Sequence, residues 1–262
     1  NKNLSSPFVK YGVIIDSIAN HRDNAILQKH ITKYALFDND ALVALNTALT
    51  LDGAFICLPD NVKIEKPIHL LFVANSKATT PTAFARILVI GGKNSEANIV
   101  ESYHSAGTNA SSTNVVSEVD IEDGAHIDIY KIQDENTKAL QYNYTQVDQE
   151  ANTHSDVTTV TLGGAWVRNN LHYLLNKPGC ETHFYGLYLL TGEMHVDNHT
   201  LADHAAPNCF SNELYKGIIA DKAHGVYNGK IMVRQDAQKT NAYQSNKNIL
   251  LSDLATLNTK PQ

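Results

Sequence analysis

The sequence predicts a mainly β protein built as a solenoid of stacked coils, following a short, partly helical N-terminal segment. Three observations predict it. From Ala54 onward, apolar and polar residues alternate with period two, segment after segment. No later stretch carries a helical pattern long enough for a crossover between parallel strands. Strand-like segments also begin with a small residue at Ala97, Ala125, Ala151, Cys180, Cys209 and Ala237, at successive steps of 28, 26, 29, 29 and 28 residues. A near-constant step without helices suits coils that each add about 4.8 Å of strand spacing. An ordinary sandwich is the alternative that the residues alone leave open.

The expected organisation is an N-terminal segment over residues 1–50 and a β core over residues 51–262. In the first, residues 24–34 read as a short helix. Asn39 is placed to cap a second, in which Ala41, Leu42, Leu45, Ala48 and Leu49 recur at helical spacing before Gly53 stops it. In the second, Val62-Lys63-Ile64, residues 87–90 and residues 115–121 read as strands, with Gly91-Gly92-Lys93 and Gly163-Gly164 as turns between strands. The chain starts at Asn1 rather than methionine and stops at Gln262 in strand-like sequence, so further segments are expected at both ends.

Composition narrows the function. A formal net charge of -6, with no basic run, argues against a nucleic-acid groove, which needs clustered Lys and Arg. The longest apolar stretches, such as residues 68–74, fall far short of the roughly 20 residues that span a bilayer, and no signal peptide is legible. A cytoplasmic protein with no membrane partner is expected. Cys57, Cys180 and Cys209 are odd in number and widely spaced, which suggests reduced thiols. Glycosylation-like triplets at Asn3, Asn109, Asn143 and Asn198 then read as chance.

Several residue groups could carry chemistry. His195, His199 and His204 fall within ten residues, in HVDNHTLADH. On a strand, His195 and His199 would point the same way but about 13 Å apart, too far to share one metal. His204 with Cys209 is the softer candidate, because imidazole and thiolate both suit iron or zinc. Cys180 and Cys209 occupy equivalent places in the repeat and are expected to stack as small, buried, structural residues. Glu118, Asp120 and Glu122 alternate with Val119 and Ile121, so three carboxylates share one face. Such a row is expected to be solvated, although acidic rows also serve β-helical carbohydrate-active enzymes, the rival functional class. No GxSxG and no Walker lysine is present, so the chain is not expected to hydrolyse ATP.

The last quarter carries a resemblance. DNHTLADHAAPNCFSNELYKG (197–217), GVYNGKIMV (225–233), DAQKTNAYQSNKNILLSDLA (236–255) and TKPQ (259–262) resemble the SufB/SufD family, in its SufD branch. The likeness extends more thinly through residues 46–72, 162–170 and 187–200. It implies a right-handed parallel β-helix core and a non-catalytic scaffold role in iron-sulfur cluster assembly. It also implies a SufB-like subunit and a SufC-like ATPase as partners, a possible homodimer when alone, no cofactor held firmly by these 262 residues themselves, and an iron-sulfur cluster and possible reduced flavin in the complete complex. The histidine that the family offers as a ligand lies in a KCSHGAT-like motif, beyond Gln262.

Overall fold

The structure, a computed structural model, describes residues 11–262; the triplet at Asn3 lies outside the described residues. Strand β1 (Ile14–Ser17) runs antiparallel to β2 (Asp52–Leu58). Between them lie a 3-10 turn (Ile18–His21) and two helices, α1 (Ala25–His30) and α2 (Ala41–Leu49). Then come β3 (Ile68–Ala74), β4 (Thr82–Gly91), β5 (Glu96–Ser105), β6 (Ser111–Ile121), β7 (His126–Asp134), β8 (Ala139–Gln149) and β9 (His154–Thr161). The remainder is β10 (Trp166–Leu175), β11 (Glu181–Leu190), β12 (His195–His204), β13 (Phe210–Ile219), β14 (His224–Val233), β15 (Asn241–Leu250) and β16 (Thr256–Pro261).

Alternate strands go to alternate sheets. Sheet A has the order β1-β2-β4-β6-β8-β10-β12-β14-β16, and sheet B the order β15-β13-β11-β9-β7-β5-β3. Every pairing after β1–β2 is parallel. The chain is therefore the predicted parallel β-solenoid, of about seven turns, not a sandwich. Among the described residues, no helix is long and apolar enough to cross a membrane.

The turn leading into sheet B sets the repeat. Asn61, Asn94, Gly124, Asn152, Gly179, Asn208 and Lys239 all have φ between 54° and 80°. One such residue occupies this turn in successive coils, and six of the seven are Asn or Gly, which tolerate left-handed backbone. The residues that follow stack as Ser95, Ala125, Thr153, Cys180, Cys209 and Thr240. The N–H of the next residue in each coil donates to the carbonyl one coil back: His126 to Ser95, His154 to Ala125, Glu181 to Thr153, Phe210 to Cys180 and Asn241 to Cys209. The predicted phase is thus correct at Ala125, Cys180 and Cys209. It is displaced at Ala97, Ala151 and Ala237, because coils differ in turn length and a small residue nearby is not always the stacked one.

The N-terminal elements depart from expectation in three ways. Helix α1 ends at His30, shorter than the 24–34 stretch, and Asn24 caps it by accepting from the Ile26 N–H at 2.9 Å. Asp40, not Asn39, caps α2, accepting from Leu42 and Val43 N–H at 2.8 and 3.1 Å. The apolar stripe that signals α2 faces outward, with Leu42, Leu45 and Leu49 exposed and Val43 and Asn46 buried. The reason is polar docking: Asn46 Nδ2 donates to the Ala85 and Asn114 carbonyls at 3.0 and 3.1 Å, anchoring the helix on sheet A. Residues 62–64 form only an isolated bridge, Lys63 with Glu96, rather than a strand.

Inside the solenoid one strip is apolar, with Ile87, Val119, Ile127, Val147, Val157 and Leu175 fully enclosed. Other positions in the lumen are filled by aromatic residues, Tyr173, Phe184, Tyr188, Tyr215 and Tyr227. Gly186 pairs with Tyr215 and Tyr188 with Gly217, so each ring lies where its neighbour lacks a side chain. A Cβ on Gly186 would stand 2.1 Å from the Tyr215 ring. Asn143 and Asn198 are buried in the lumen, so neither triplet is presented to solvent.

Candidate functional site

Two of the three carboxylates in the acidic row, Glu118 and Asp120, are not solvated, while Glu122 lies just past the end of β6 and is half-buried. Period two places Glu118 and Asp120 on the outer face of sheet A and Val119 and Ile121 in the core, as predicted. The chain between α1 and α2, however, folds over that face. Glu118 is fully buried and accepts from the N–H groups of Thr32, Tyr34 and Ala35 at 2.8, 2.9 and 3.0 Å. Arg86 Nε donates to the same carboxylate at 2.9 Å. Asp120 accepts from the Tyr34 hydroxyl at 2.7 Å and lies 3.1 Å from His30 Nδ1. Local sequence could not reveal this, because the covering residues lie more than 80 positions away.

Where this cover stops, a groove of about 570 Å³ opens on the same face. Lys33, Tyr34 and Asp40 form one wall; β8, β10 and β12 form the floor with Tyr144, Asp148, Arg168, His172, His199 and Asp203. Burial, reinforced by Asp120, Glu150 and Glu118, pushes the Asp148 carboxyl up to about 6. Burial drives His172 down to about 4, against the pull of Asp40, and the Tyr144 hydroxyl sits 2.9 Å from its Nδ1. Burial also opposes ionisation of Asp197, but hydrogen bonding and charge from His199 and Arg168 outweigh it and hold the carboxyl low. The groove therefore offers a carboxyl that exchanges protons near neutrality beside a neutral imidazole, while Arg168 and Arg234 are already paired with Asp197 and Asp203.

The second polar region is the lumen. Lys131 Nζ lies 3.0 Å from Glu101 Oε2 and donates to Asn143 Oδ1 at 2.9 Å and Thr145 Oγ1 at 2.6 Å. Burial lowers the Lys131 pKa, and Glu101 opposes that shift. Three coils on, buried Glu213 accepts from Thr200 and from the Tyr227 hydroxyl, and burial raises its pKa. Alternation had no means of finding these residues: a polar residue between apolar ones reads as facing outward, and here it faces a polar interior.

The residues singled out in sequence divide into two groups. His195 and His199 lie on the outer face of β12; His195 stacks on His224 with ring centroids 4.9 Å apart, and His199 Nε2 lies 2.9 Å from Asp197. His204 and Cys209 do come together, inside the lumen, with Cys180 beside them. His204 Nε2 lies 2.8 Å from Ser211 Oγ, and the Cys209 thiol reaches the Lys177 carbonyl at 3.3 Å. A hydrogen bond from Cys180 lowers the Cys209 pKa, with His204 assisting against burial, and the same bond raises that of Cys180. All three cysteines are free and buried.

Comparison with known proteins places the sequence in a family. Residues 72–262 match the family described as "SUF system FeS cluster assembly, SufBD core domain", and residues 1–70 match "SufBD protein N-terminal region". The chain is 32% identical over 232 residues to an iron-sulfur cluster assembly SufBD family protein of Synechocystis, covering 86% of this chain and 51% of that protein. It is 27% identical over 229 residues to the iron-sulfur cluster assembly protein SufD of Escherichia coli, covering 85% and 53% respectively. It is 28% identical over 266 aligned positions to the chloroplastic protein ABCI7 of Arabidopsis thaliana, covering 97% and 54%. The chain spans about half the length of these curated relatives.

Proposed function

The chain belongs to the SufB/SufD family of iron-sulfur cluster assembly proteins, on its SufD branch, and from that premise we propose that it is a non-catalytic scaffold subunit. Its partners in this reading are a SufB-like subunit and a SufC-like ATPase, in the cytoplasm, with a second copy of itself as the partner when SufB is absent. The observation that carries the proposal is the match of the core domain over residues 72–262, which takes in nearly the whole solenoid.

The physics of the fold supports it. A solenoid of parallel coils presents long faces at fixed separations, against which a partner can dock and cargo can be held. Iron and sulfide are cargo here, and reduced flavin belongs to the assembled complex. Cys209 with His204 has donor chemistry suited to iron, but both side chains are enclosed, and in this reading they are structural.

The test is anaerobic co-purification of the full-length protein, and of this 262-residue chain, with SufB and SufC from the same organism. A three-component complex with the full-length protein supports the scaffold. A folded full-length protein that retains neither partner overturns it.

A further inference from the structure

We propose that His154, Asp156 and His183 form a binding site for a first-row divalent transition cation on the outer face of sheet B. The face lies on the opposite sheet from the groove, and the inference does not depend on the scaffold role.

The site follows from the register. His126 pairs with His154 and Asp156 with His183, on β7, β9 and β11, so imidazoles and carboxylates from three successive coils meet on one face. His126 and His154 stand one register step of 28 residues apart, and His183 stands one step of 27 residues from Asp156, diagonal to His154. Period two turns all of them outward, while Ser155, Val157, Thr182 and Phe184 fill the lumen.

The donor geometry suits a metal. Asp156 Oδ1 lies 3.2 Å from His154 Nε2 and 2.8 Å from His183 Nδ1. Two ligands held ~2.1 Å from a tetrahedral ion stand about 3.4 Å apart, so small side-chain adjustments seat one. Two imidazoles and one carboxylate favour zinc, cobalt or ferrous iron over calcium or magnesium, which prefer oxygen alone. The outer contacts are also suitable. His154 Nδ1 lies 4.0 Å from Glu181 Oε1, longer than a hydrogen bond, with a carboxylate on the side of the ring away from the site. His183 stacks on Tyr185 and leans on Phe210, with centroids 5.7 and 5.5 Å apart, which walls one side.

A neighbouring set, His126, Asp128 and His154, shares one histidine with this site. Its His126 side chain is 46% exposed, whereas His183 is 17% exposed, and the better-enclosed set holds an ion with less competition from water.

The experiment is anaerobic titration of the folded chain with Co²⁺, read by visible d–d absorption and followed by competition with Zn²⁺. One equivalent of Co²⁺ is expected, displaced by Zn²⁺. Asp156→Asn, His154→Gln and His183→Gln should each weaken binding at least ~10-fold, whereas His126→Gln and the distant His224→Gln should not. Circular dichroism checks that each variant is folded, and a Zn²⁺-dependent rise in wild-type melting temperature, absent from His154→Gln, provides a second readout. No cobalt spectrum, unchanged affinity in Asp156→Asn, or a loss in His126→Gln equal to that in His183→Gln would overturn the assignment.

Discussion

Arg86 and Glu118 form an ion pair almost entirely shielded from solvent, with Nη2 2.7 Å from Oε2 and side-chain exposures of 1% and 0%. Both project from the outer face of sheet A, one from β4 and one from β6, and the N-terminal chain closes over them. The pair ties the cover to the solenoid, because Glu118 also gathers the backbone amides of Thr32, Tyr34 and Ala35.

Breaking that pair should loosen the cover. Glu118→Gln keeps the volume but leaves Arg86 buried without a counter-charge, a change that costs about 3–5 kcal/mol. Denaturant titration should register the loss, and the amides of Thr32, Tyr34 and Ala35 should exchange faster than those of β10. Unchanged protection at those amides would show that the cover is held by other contacts.

Asp148 makes stability depend on pH in a set direction. Its pKa rises from an ordinary 3.8 to about 6, so folding disfavours the ionised form. Its contribution is most favourable below pH 4 and is lost as pH rises through 6. Asp148→Asn should therefore stabilise the protein by up to ~3 kcal/mol at pH 8, and by almost nothing at pH 4. Equal effects at both pH values would show that the carboxyl is not strained.

Gly186 should not accept a methyl group. The Tyr215 ring lies 2.1 Å from where the Cβ would be, and it is buried against the Tyr227 ring, with centroids 4.8 Å apart. Gly186→Ala should cost about 1–3 kcal/mol by overpacking. Tyr215→Leu in the same chain should recover part of that loss, since the smaller side chain vacates the space. If both variants are fully additive, the contact does not limit the lumen.

The architecture was legible because it is periodic. Cys180 and Cys209 marked the true stack, 29 residues apart, and a step of 28 residues likewise pairs His126 with His154. What escaped depends on contacts distant in sequence. Glu118 reads as a solvated carboxylate until residues 32–35 fold over it. Lys131 reads as outward-facing until the lumen proves polar, and the leucines of α2 read as a core face although Asn46 makes the docking contacts. Local alternation reports that two faces differ, but which face is inside follows from what the rest of the chain brings to it.

The three cysteines should report how the molecule opens. Cys209 has a lowered pKa, which would favour reaction with a thiol reagent, but it is 2% exposed, and Cys180 beside it is 1% exposed. Reaction therefore waits for the solenoid to open, and the two should be modified together, at a rate that follows global unfolding. Cys57 lies elsewhere, on the outer face of sheet A, packed with Leu27 of α1 beneath the cover. Releasing the cover exposes it without disturbing the lumen. In mild denaturant, and in Glu118→Gln, Cys57 should react first, with Cys180 and Cys209 following only in the unfolding transition. Mass spectrometry after timed alkylation separates the sites. Prompt modification of Cys209 in the native protein would mean that the lumen is open to solvent, and its thiolate would then become a candidate for chemistry rather than packing.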